Sequence, residues 1–303
     1  MLTIGCVGIG LWLVGIILSD RFTATQFCSW IPAIAMTPLC LLAAAAARSR
    51  RLTTCWCLIA AMTAGWWFLV DQPWRPGEGS SEGLTLMQWT MSHDKSDRVT
   101  HANYIVETDA DITILTHGYG VRGTDEIRNW LGPDAKPYKL GFFTVLTRLP
   151  VRQLRPLAAG MDIHARIIEI DTTRQLGRPI RIAAVDLPSK LTRSRWEIAR
   201  TLRTWLDERD AGRIDIALGD FNMRRGSAAL ASIFPDLTHA WDRAGHGWGP
   251  TWNRRFPIYR IDHVLVADWL DVLDCTTHDP GIGWHLTQHV VLDGPREEDA
   301  AED

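Results

Sequence analysis

Asp220 and Asn222 are the first residues whose type and spacing could support chemistry. They follow an apolar run that ends in Gly219, so a buried strand is predicted to carry them at its end. Side chains at positions i and i+2 of an extended chain point the same way, so the carboxylate and the amide can converge on one ligand. An Asx turn that closes the strand explains the same pattern equally well.

Asp262 and His289 are two further polar residues beside apolar runs. Asp262 lies within the apolar run 261–266, where an unpaired carboxylate would be costly, so a partner group must face it. His289 precedes the apolar run 290–292, and a single histidine in such a position is more often structural. His285 lies four residues earlier and is interpreted as structural, because an extended chain does not bring the two rings together.

Taken together, these segments resemble the endonuclease/exonuclease/phosphatase family. The order is Gly219-Asp220-Phe221-Asn222, then Arg260-Ile261-Asp262-His263, then His289 ahead of a hydrophobic strand. The resemblance covers most of residues 83–292. It includes similar stretches at 84–89, 109–115, 143–150 and 249–252.

The resemblance implies a four-layer α/β sandwich, with two mixed β-sheets flanked by helices. It also implies that loops at the strand ends form a phosphoester site with a divalent metal, Mg²⁺ or Mn²⁺, and that the reaction is hydrolysis by water. His289 would match the general base and Asp262 the acid that orients it, while Asp220 and Asn222 would position water, phosphate oxygens and metal. A neutral imidazole held by a carboxylate suits a base at neutral pH, and Mg²⁺ prefers oxygen ligands near phosphate.

Four positions depart from the family pattern. Thr90 stands where the family has Asn, His117 where it has a metal-binding Glu, and Asp186 where it has His. Gln288 precedes His289 where the family has an acid. Two carboxylates are thereby lost, and the metal ligands would instead be Asp220, His117 and Asp186, a set that suits Mn²⁺ or Zn²⁺. The alternative is a catalytically lapsed domain that binds a phosphorylated ligand or a protein partner.

Short apolar runs alternate with helical patterns between residues 83 and 292, which predicts a layered α/β domain. Strands are predicted at 84–89, 111–116, 142–147, 163–170, 180–187, 214–218, 261–266 and 289–292. Helices are predicted at 98–107, 125–130, 193–208 and 227–233.

The N-terminal part of the chain contains three runs without charged residues, at 1–19, 22–47 and 52–70. Each is long enough to cross a hydrocarbon core of about 30 Å as a helix. A buried helical hairpin is disfavoured, because the runs show no polar face. The predicted organisation is three transmembrane helices at 1–70, a linker at 71–82, the α/β domain at 83–292 and an acidic disordered tail at 293–303.

Charged residues near the spans predict the orientation. Arg48, Arg50 and Arg51 lie between the second and third runs, and such loops face the cytoplasm. The chain is therefore predicted to be a multi-pass protein of the plasma (inner) membrane, with its soluble domain on the extracytoplasmic side. No basic residue precedes the first apolar run, which argues against a cleaved signal peptide.

The charge balance restricts the partners. From Asp71 onward the chain carries 28 basic and 34 acidic residues, which disfavours long nucleic acid as the ligand. A phosphoester substrate is expected, with lipid headgroups among the candidates because of the membrane spans. Only Cys275 lies outside the N-terminal region, so no disulfide framework or thiolate metal site is expected in the domain.

Overall fold

The structure, a computed structural model, describes residues 1–72, 82–91 and 97–294. These residues form two compact units. The first contains the N-terminal helices up to Gln72 together with Ser189–Arg200 and Met223–Ile233, and the second contains the other described residues. Most of the predicted linker at 71–82 and of the predicted tail at 293–303 lies outside the described residues.

Apolar helices make up most of the first unit. They are α1 (Leu2–Leu18), α2 (Thr23–Ser29), α3 (Ala33–Ala45) and α4 (Arg50–Trp66), with a π-helical turn at Trp67–Asp71. Cys40, Ala43 and Trp56 form part of a small core between α3 and α4. Large apolar side chains remain exposed on the helices, for example Leu58 at 60% and Leu69 at 77%. An apolar surface of this kind suits contact with a lipid phase or a partner rather than water.

Buried polar side chains tie two distant segments to these helices. Gln26 of α2 donates to the carbonyl of Arg193 at 3.0 Å and accepts from the backbone N–H of Arg195 at 3.0 Å. Asp20, in the turn after α1, accepts from the backbone N–H of Ala229 at 3.0 Å. Because a buried polar group is costly without a partner, these bonds hold the helices and the two segments together as one unit.

The predicted three spans are matched only in part. Arg50–Asp71 is the one helix long and apolar enough to cross a bilayer by itself, and α1 with α2 passes the same test only as a pair bent by 113°. α3 has 13 residues, or about 20 Å, which is shorter than the hydrocarbon core. The described helices thus offer one or two candidate spans, and the three-span, multi-pass arrangement is not supported.

The second unit contains two six-stranded sheets. The strands are β1 (Leu84–Thr90), β2 (Ile112–Thr116), β3 (Tyr138–Leu140), β4 (Phe143–Thr147), β5 (Val151–Gly160), β6 (Ile163–Ile170), β7 (Ile180–Asp186), β8 (Ile216–Asp220), β9 (Leu237–His239), β10 (Asp262–Ala267), β11 (Asp271–His278) and β12 (Thr287–Asp293). The first sheet has the order β11-β12-β1-β2-β4-β3 and the second β5-β6-β7-β8-β10-β9. Each is mixed, because β1 with β2 and β7 with β8 are parallel pairs among antiparallel ones.

The two sheets pack face to face, and helices of the same unit cover the outer face of the first sheet. Leu86 and Ile114 of the first sheet share one core with Ile182 and Leu218 of the second. The helices after β1 are α5 (Arg98–Thr108), α6 (Asp125–Leu131), α7 (Thr173–Leu176), α8 (Arg195–Glu208), α9 (Ala228–Ile233) and α10 (Ala240–Ala244). Residues of α5 and α6 bury the outer face of the first sheet around Trp89.

The predicted α/β sandwich with two mixed sheets flanked by helices is confirmed. All eight predicted strands and all four predicted helices are present, with ends within two residues of the predicted ones. The strands that were not predicted are β3, β5, β9 and β11, and these are the outermost strands of the two sheets.

Candidate active site

Three carboxylates lie side by side where strands of the second sheet begin or end. Asp186 closes β7 and is in register with Asp220, which closes the parallel strand β8. Asp220 is in register with Asp262, the first residue of the antiparallel strand β10. All three are buried, and Asp262 is completely so. The fold therefore concentrates carboxyl groups at the ends of three neighbouring strands, away from water.

Asp262 has two side-chain partners, as its apolar surroundings required. Its Oδ1 accepts from the hydroxyl of Thr90 at 2.5 Å, and its Oδ2 lies 2.8 Å from Nδ1 of His285. The backbone N–H of Asp262 donates to the hydroxyl of Thr251 at 3.1 Å. These contacts fix both the carboxylate and the imidazole ring of His285.

The environment of His285 favours its charged form. Burial by itself lowers the pKa of the ring, but the charge and hydrogen bond of Asp262, with the charges of Asp220 and Asp186, raise that pKa to about 9. Without a bound cation beside Asp186, Asp220 and Asp262, His285 is therefore positively charged at neutral pH. A cation beside buried carboxylates can contact an anionic substrate.

The environment of Asp220, in contrast, favours its neutral form. Burial, followed by the charge of Asp262, raises the pKa of Asp220 well above its ordinary value, and the charge of His285 opposes this shift. Its Oδ1 accepts from the backbone N–H of Asn222 at 3.0 Å, so the Asx turn left open by the sequence is present. Asn222 donates its amide to the carbonyl of Leu187 at 2.8 Å, and thus holds the loop that carries Asp220.

The structure places the predicted metal ligands His117 and Asp186 together. Nε2 of His117 lies 3.3 Å from Oδ2 of Asp186. His164, which sequence reasoning did not single out, is in register with Asp186 across β6 and β7. Burial lowers the pKa of His164, and the charge of Asp186 partly offsets that effect. The imidazoles of His117 and His164 thus lie beside Asp186, at one end of the row of three acids.

His289 is not part of this cluster, which corrects the predicted pairing with Asp262. Its Nε2 lies 2.9 Å from the hydroxyl of Thr287 and 3.4 Å from that of Tyr104. The neighbouring Gln288 contacts Gln88 from the opposite face of β12. Burial and then the charge of His278 lower the pKa of His289 to about 3. The histidine that Asp262 holds is His285, which was predicted to be structural.

A row of hydrogen bonds leads from Arg260 to Asp262. Arg260 donates to Gln288 at 2.6 Å, and Gln288 donates to Gln88 at 2.8 Å. Gln88 donates to Thr90 at 3.1 Å, and Thr90 donates to Asp262. Two of the departures from the family pattern, Thr90 and Gln288, are thus members of one network that positions the central carboxylate.

The donor atoms fit a divalent cation. Asp220, Asp262 and His285 each offer one ligand atom, and the three atoms lie within 4.8 Å of one another. Two adjacent buried carboxylates, one with a strongly raised pKa, are a setting that added positive charge would stabilise. The mixed nitrogen and oxygen set suits Mn²⁺ or Zn²⁺ better than Mg²⁺. Only Asp220 is common to this set and the predicted one.

Known proteins share this architecture. A mannosyl-6-phosphatase of Bacteroides thetaiotaomicron VPI-5482 is 13% identical with a TM-score of 0.55, over 69% of this chain and 99% of that chain. An endonuclease/exonuclease/phosphatase of Beutenbergia cavernae DSM 12333 is 17% identical with a TM-score of 0.52, over 70% and 71%. An AP endonuclease of Archaeoglobus fulgidus is 12% identical with a TM-score of 0.53, over 69% and 99%.

No family model and no curated protein matches the sequence. At identities this low, the likeness to the solved structures establishes the fold and leaves the chemistry to the residues of this chain. Several of the similar solved structures, including the one from Beutenbergia cavernae, carry the family name that the motifs around Asp220 and Asp262 suggested. The chain therefore has the fold of the endonuclease/exonuclease/phosphatase proteins, as its sequence motifs predicted.

Proposed function

We propose that the chain is a membrane-anchored phosphoesterase that hydrolyses a phosphoester by water attack. The observation that carries the proposal is the buried group of Asp220, Asp262 and His285 at the strand ends of this fold. It combines a carboxyl of raised pKa with an imidazole of raised pKa, and such paired shifts are typical of acid and base chemistry. The phosphatases and endonucleases among the solved structures support the same reaction class.

Each of the three side chains has a role in this proposal. Without a bound cation, Asp220 accepts the proton of the attacking water, because its raised pKa brings it closer to the working pH than an ordinary carboxyl. Asp262 orients the ring of His285 through the 2.8 Å contact at Nδ1. Asn222 donates its backbone N–H to Asp220 and so fixes the direction of the base.

A positive charge beside Asp220 and Asp262 would offset the negative charge of these buried carboxylates and of the substrate phosphate. Asp220, Asp262 and His285 would hold a divalent cation, which when bound polarises a water and neutralises phosphate charge. In its absence, protonated His285 supplies a positive charge at the same place. The ring of His285 then donates a hydrogen bond to a phosphate oxygen.

The test is hydrolysis of bis-p-nitrophenyl phosphate and p-nitrophenyl phosphate by the full chain in detergent, with Mg²⁺, Mn²⁺ or Zn²⁺. His285→Ala should lower kcat by roughly a hundredfold or more, in line with loss of a charged hydrogen-bond donor to the phosphate. His289→Ala is the matched control, since Nε2 of His289 contacts the hydroxyls of Thr287 and Tyr104, and this variant should keep most of the activity. Activity lost in His289→Ala but kept in His285→Ala would reverse the assignment.

A lapsed site that binds a phosphorylated ligand is the second candidate function. The row from Gln288 through Gln88 to Thr90 favours it, because neutral side chains occupy positions where the family has a carboxylate and an amide. Under this alternative, the wild-type chain would show no more hydrolysis than His285→Ala with any of the three metals. Binding of inorganic phosphate, measured by calorimetry, would then persist in the presence of a chelator.

The membrane anchor and its orientation are part of the same proposal. Exposed apolar side chains on α1 and α4 support insertion into a bilayer, and the arginines at 48–51 support a cytoplasmic loop between α3 and α4. The soluble domain would then lie outside the cytoplasm, with lipid headgroups within reach as substrates. An alkaline phosphatase reporter fused after Asp303 should be active, and a fusion active only as a cytoplasmic reporter would overturn this orientation.

A further inference from the structure

The first unit contains a cavity, lined by both charged and apolar side chains, that the candidate active site does not use. Its volume is about 230 Å³, and its lining includes Trp12 of α1, Trp66 of α4, Arg195 and Arg224. Asp20 and Asp71 also line it, one after α1 and the other at the end of the π-helical turn. All these residues belong to the first unit, while Asp220, Asp262 and His285 belong to the second.

The charged groups of this cavity are balanced. Asp20 and Arg195 are 3% and 1% exposed, which is unusual for charged side chains. Asp71 accepts from Nε1 of Trp66 at 3.2 Å and lies 3.4 Å from the guanidinium of Arg224. Two carboxylates and two guanidiniums line one space, so a ligand that carries one positive and one negative charge would match it.

Aromatic rings provide a surface for the positive end of such a ligand. Trp12 and Trp66 meet edge to face, with ring centroids 5.8 Å apart and planes at 86°. Tryptophan faces attract alkylammonium groups, and carboxylates beside them add charge. Arg195 and Arg224 offer the guanidinium groups that bind phosphate. The lining therefore has recognition groups for both an ammonium and a phosphate.

The size and setting of the cavity point to a lipid headgroup. Its volume is below the roughly 300–1,000 Å³ of pockets for drug-sized ligands, so it suits a small polar group. Ile16 and Val70 also line it and are 36% and 39% exposed, so apolar surface continues outward from the polar space. Acyl chains could follow that surface while the headgroup fills the cavity.

We propose that this cavity binds the headgroup of a zwitterionic phospholipid. The ammonium lies between Trp12, Trp66 and the carboxylates of Asp20 and Asp71, and the phosphate lies against Arg195 and Arg224. This is a second site, separate from hydrolysis, and it rests only on the membrane placement within the proposed function. The bound lipid would act as a structural ligand of the helical unit.

The test is native mass spectrometry of the full chain released from detergent. Phosphatidylethanolamine and phosphatidylglycerol with the same acyl chains are titrated in parallel. One phosphatidylethanolamine should bind per chain, at least about fivefold more tightly than phosphatidylglycerol, because only the former carries an ammonium. Trp12→Leu and Asp71→Asn should each weaken that binding by about fivefold or more.

Trp56→Leu is the matched control. Trp56 is a buried tryptophan of the same unit that packs against α3 and does not line the cavity, so its variant should bind as the wild type does. Equal binding of both lipids, or wild-type binding by both cavity variants, would overturn the proposal. If Asp71→Asn does not fold, as judged by circular dichroism, Trp12→Leu decides alone. His285→Ala should bind lipid normally, so a failure of the proposed hydrolysis leaves this test intact.

Discussion

Asp186, Asp220, Asp262 and His285 form one buried group of charges. The three acids occupy neighbouring strands, and His285 is the one cation among the four side chains. Burial penalises each charge, and the penalty is largest where two carboxylates adjoin. The arrangement is therefore expected to cost stability, as groups that serve the proposed hydrolysis would.

Asp220→Asn should stabilise the protein and abolish hydrolysis. The raised pKa of Asp220 means that stability falls as the pH rises from about 3.9, the ordinary pKa, towards the raised one, and a neutral amide removes this loss. With a chelator at pH 8, the free energy of unfolding should rise by about 1–2 kcal/mol, measured by thermal unfolding.

Asp215→Asn is the control for this prediction. Asp215 is a buried acid with favourable partners, since it accepts from Trp269 at 2.8 Å and from the backbone N–H of Arg181 at 2.9 Å. Its variant should lose stability in the same measurement. A loss of stability in Asp220→Asn as well would mean that the folded protein needs the negative charge at position 220.

His285 and His289 should give opposite pH signatures. The pKa of His289 is lowered to about 3, so the unfolded chain binds the extra proton and stability falls as the pH drops below about 6.5. The pKa of His285 is raised to about 9, so its contribution is present below about 6.5 and is lost as the pH rises through 9.

Thermal unfolding between pH 5 and 9.5 checks this pair. His289→Gln should remove a slope of up to about 1.4 kcal/mol per pH unit on the acid side. His285→Gln should lose stability relative to the wild type mainly at acid and neutral pH, and less at pH 9.5. Parallel profiles for both variants would contradict the assigned environments.

Two acids of the buried cluster, Asp220 and Asp262, were predicted from the sequence, but its histidine, His285, was predicted to be structural. Asp220 and Asp262 are recognisable because each is a charged residue at the end of a strongly apolar strand. His285 and His289 are only four residues apart, and both lie close to the start of β12. The choice between them depends on where β12 begins and which face each side chain takes, and neither follows from local pattern alone.

Strand prediction succeeded wherever a strand is buried on both faces. β2, β4 and β8 are buried throughout, and Asp220 is their single charged residue, as strands covered on both faces require. The missed strands β5 and β11 are at sheet edges, where Arg152 and Asp271 interrupt the apolar pattern. Edge strands need fewer apolar residues, so their sequences predict them weakly.

The end of β8 depends on a glycine at position 219. Gly219 has φ +131°, and a Cβ built there would lie 2.0 Å from the carbonyl oxygen of Val185 on β7. Gly219→Ala should therefore separate β7 from β8, lower stability by about 2–3 kcal/mol or more, and displace Asp220 from the cluster. Urea unfolding and phosphoester hydrolysis would measure the two effects.

Gly123→Ala is the control for the glycine substitution. A Cβ at position 123 meets no atom within 4 Å, so this variant should unfold and react like the wild type. Normal stability and activity in Gly219→Ala would show that β7 and β8 can adjust to the added methyl group.

At the scale of the whole molecule, the absence of charge did not predict where helices end. The uncharged run 22–47 contains a break near Pro32, which precedes the first residue of α3. That break leaves α2 and α3 as two short helices instead of one long span. Composition located the apolar region correctly, but helix length depends on backbone breaks that composition does not report.

The arginines at 48, 50 and 51 should control membrane orientation. Replacing all three with Ser removes the positive charge between α3 and α4, and the orientation bias should weaken. The measurement is cysteine labelling from each side of intact cells, with a single reporter cysteine in the acidic tail. Replacing Arg174, Arg200 and Arg213 instead leaves this loop unchanged, and those variants should keep the wild-type labelling pattern.

The first unit is assembled from three separate stretches of chain, and this limits how the protein can be divided. Gln26 and Asp20 saturate backbone groups of residues 193–195 and 229, which are far away in sequence. Deleting residues 1–72 would remove the hydrogen-bond partners of those backbone groups. The segments Ser189–Arg200 and Met223–Ile233 would then lose the helices that they pack with. The N-terminal helical region is thus an integral piece of the folded protein, and activity is best assayed on the intact chain.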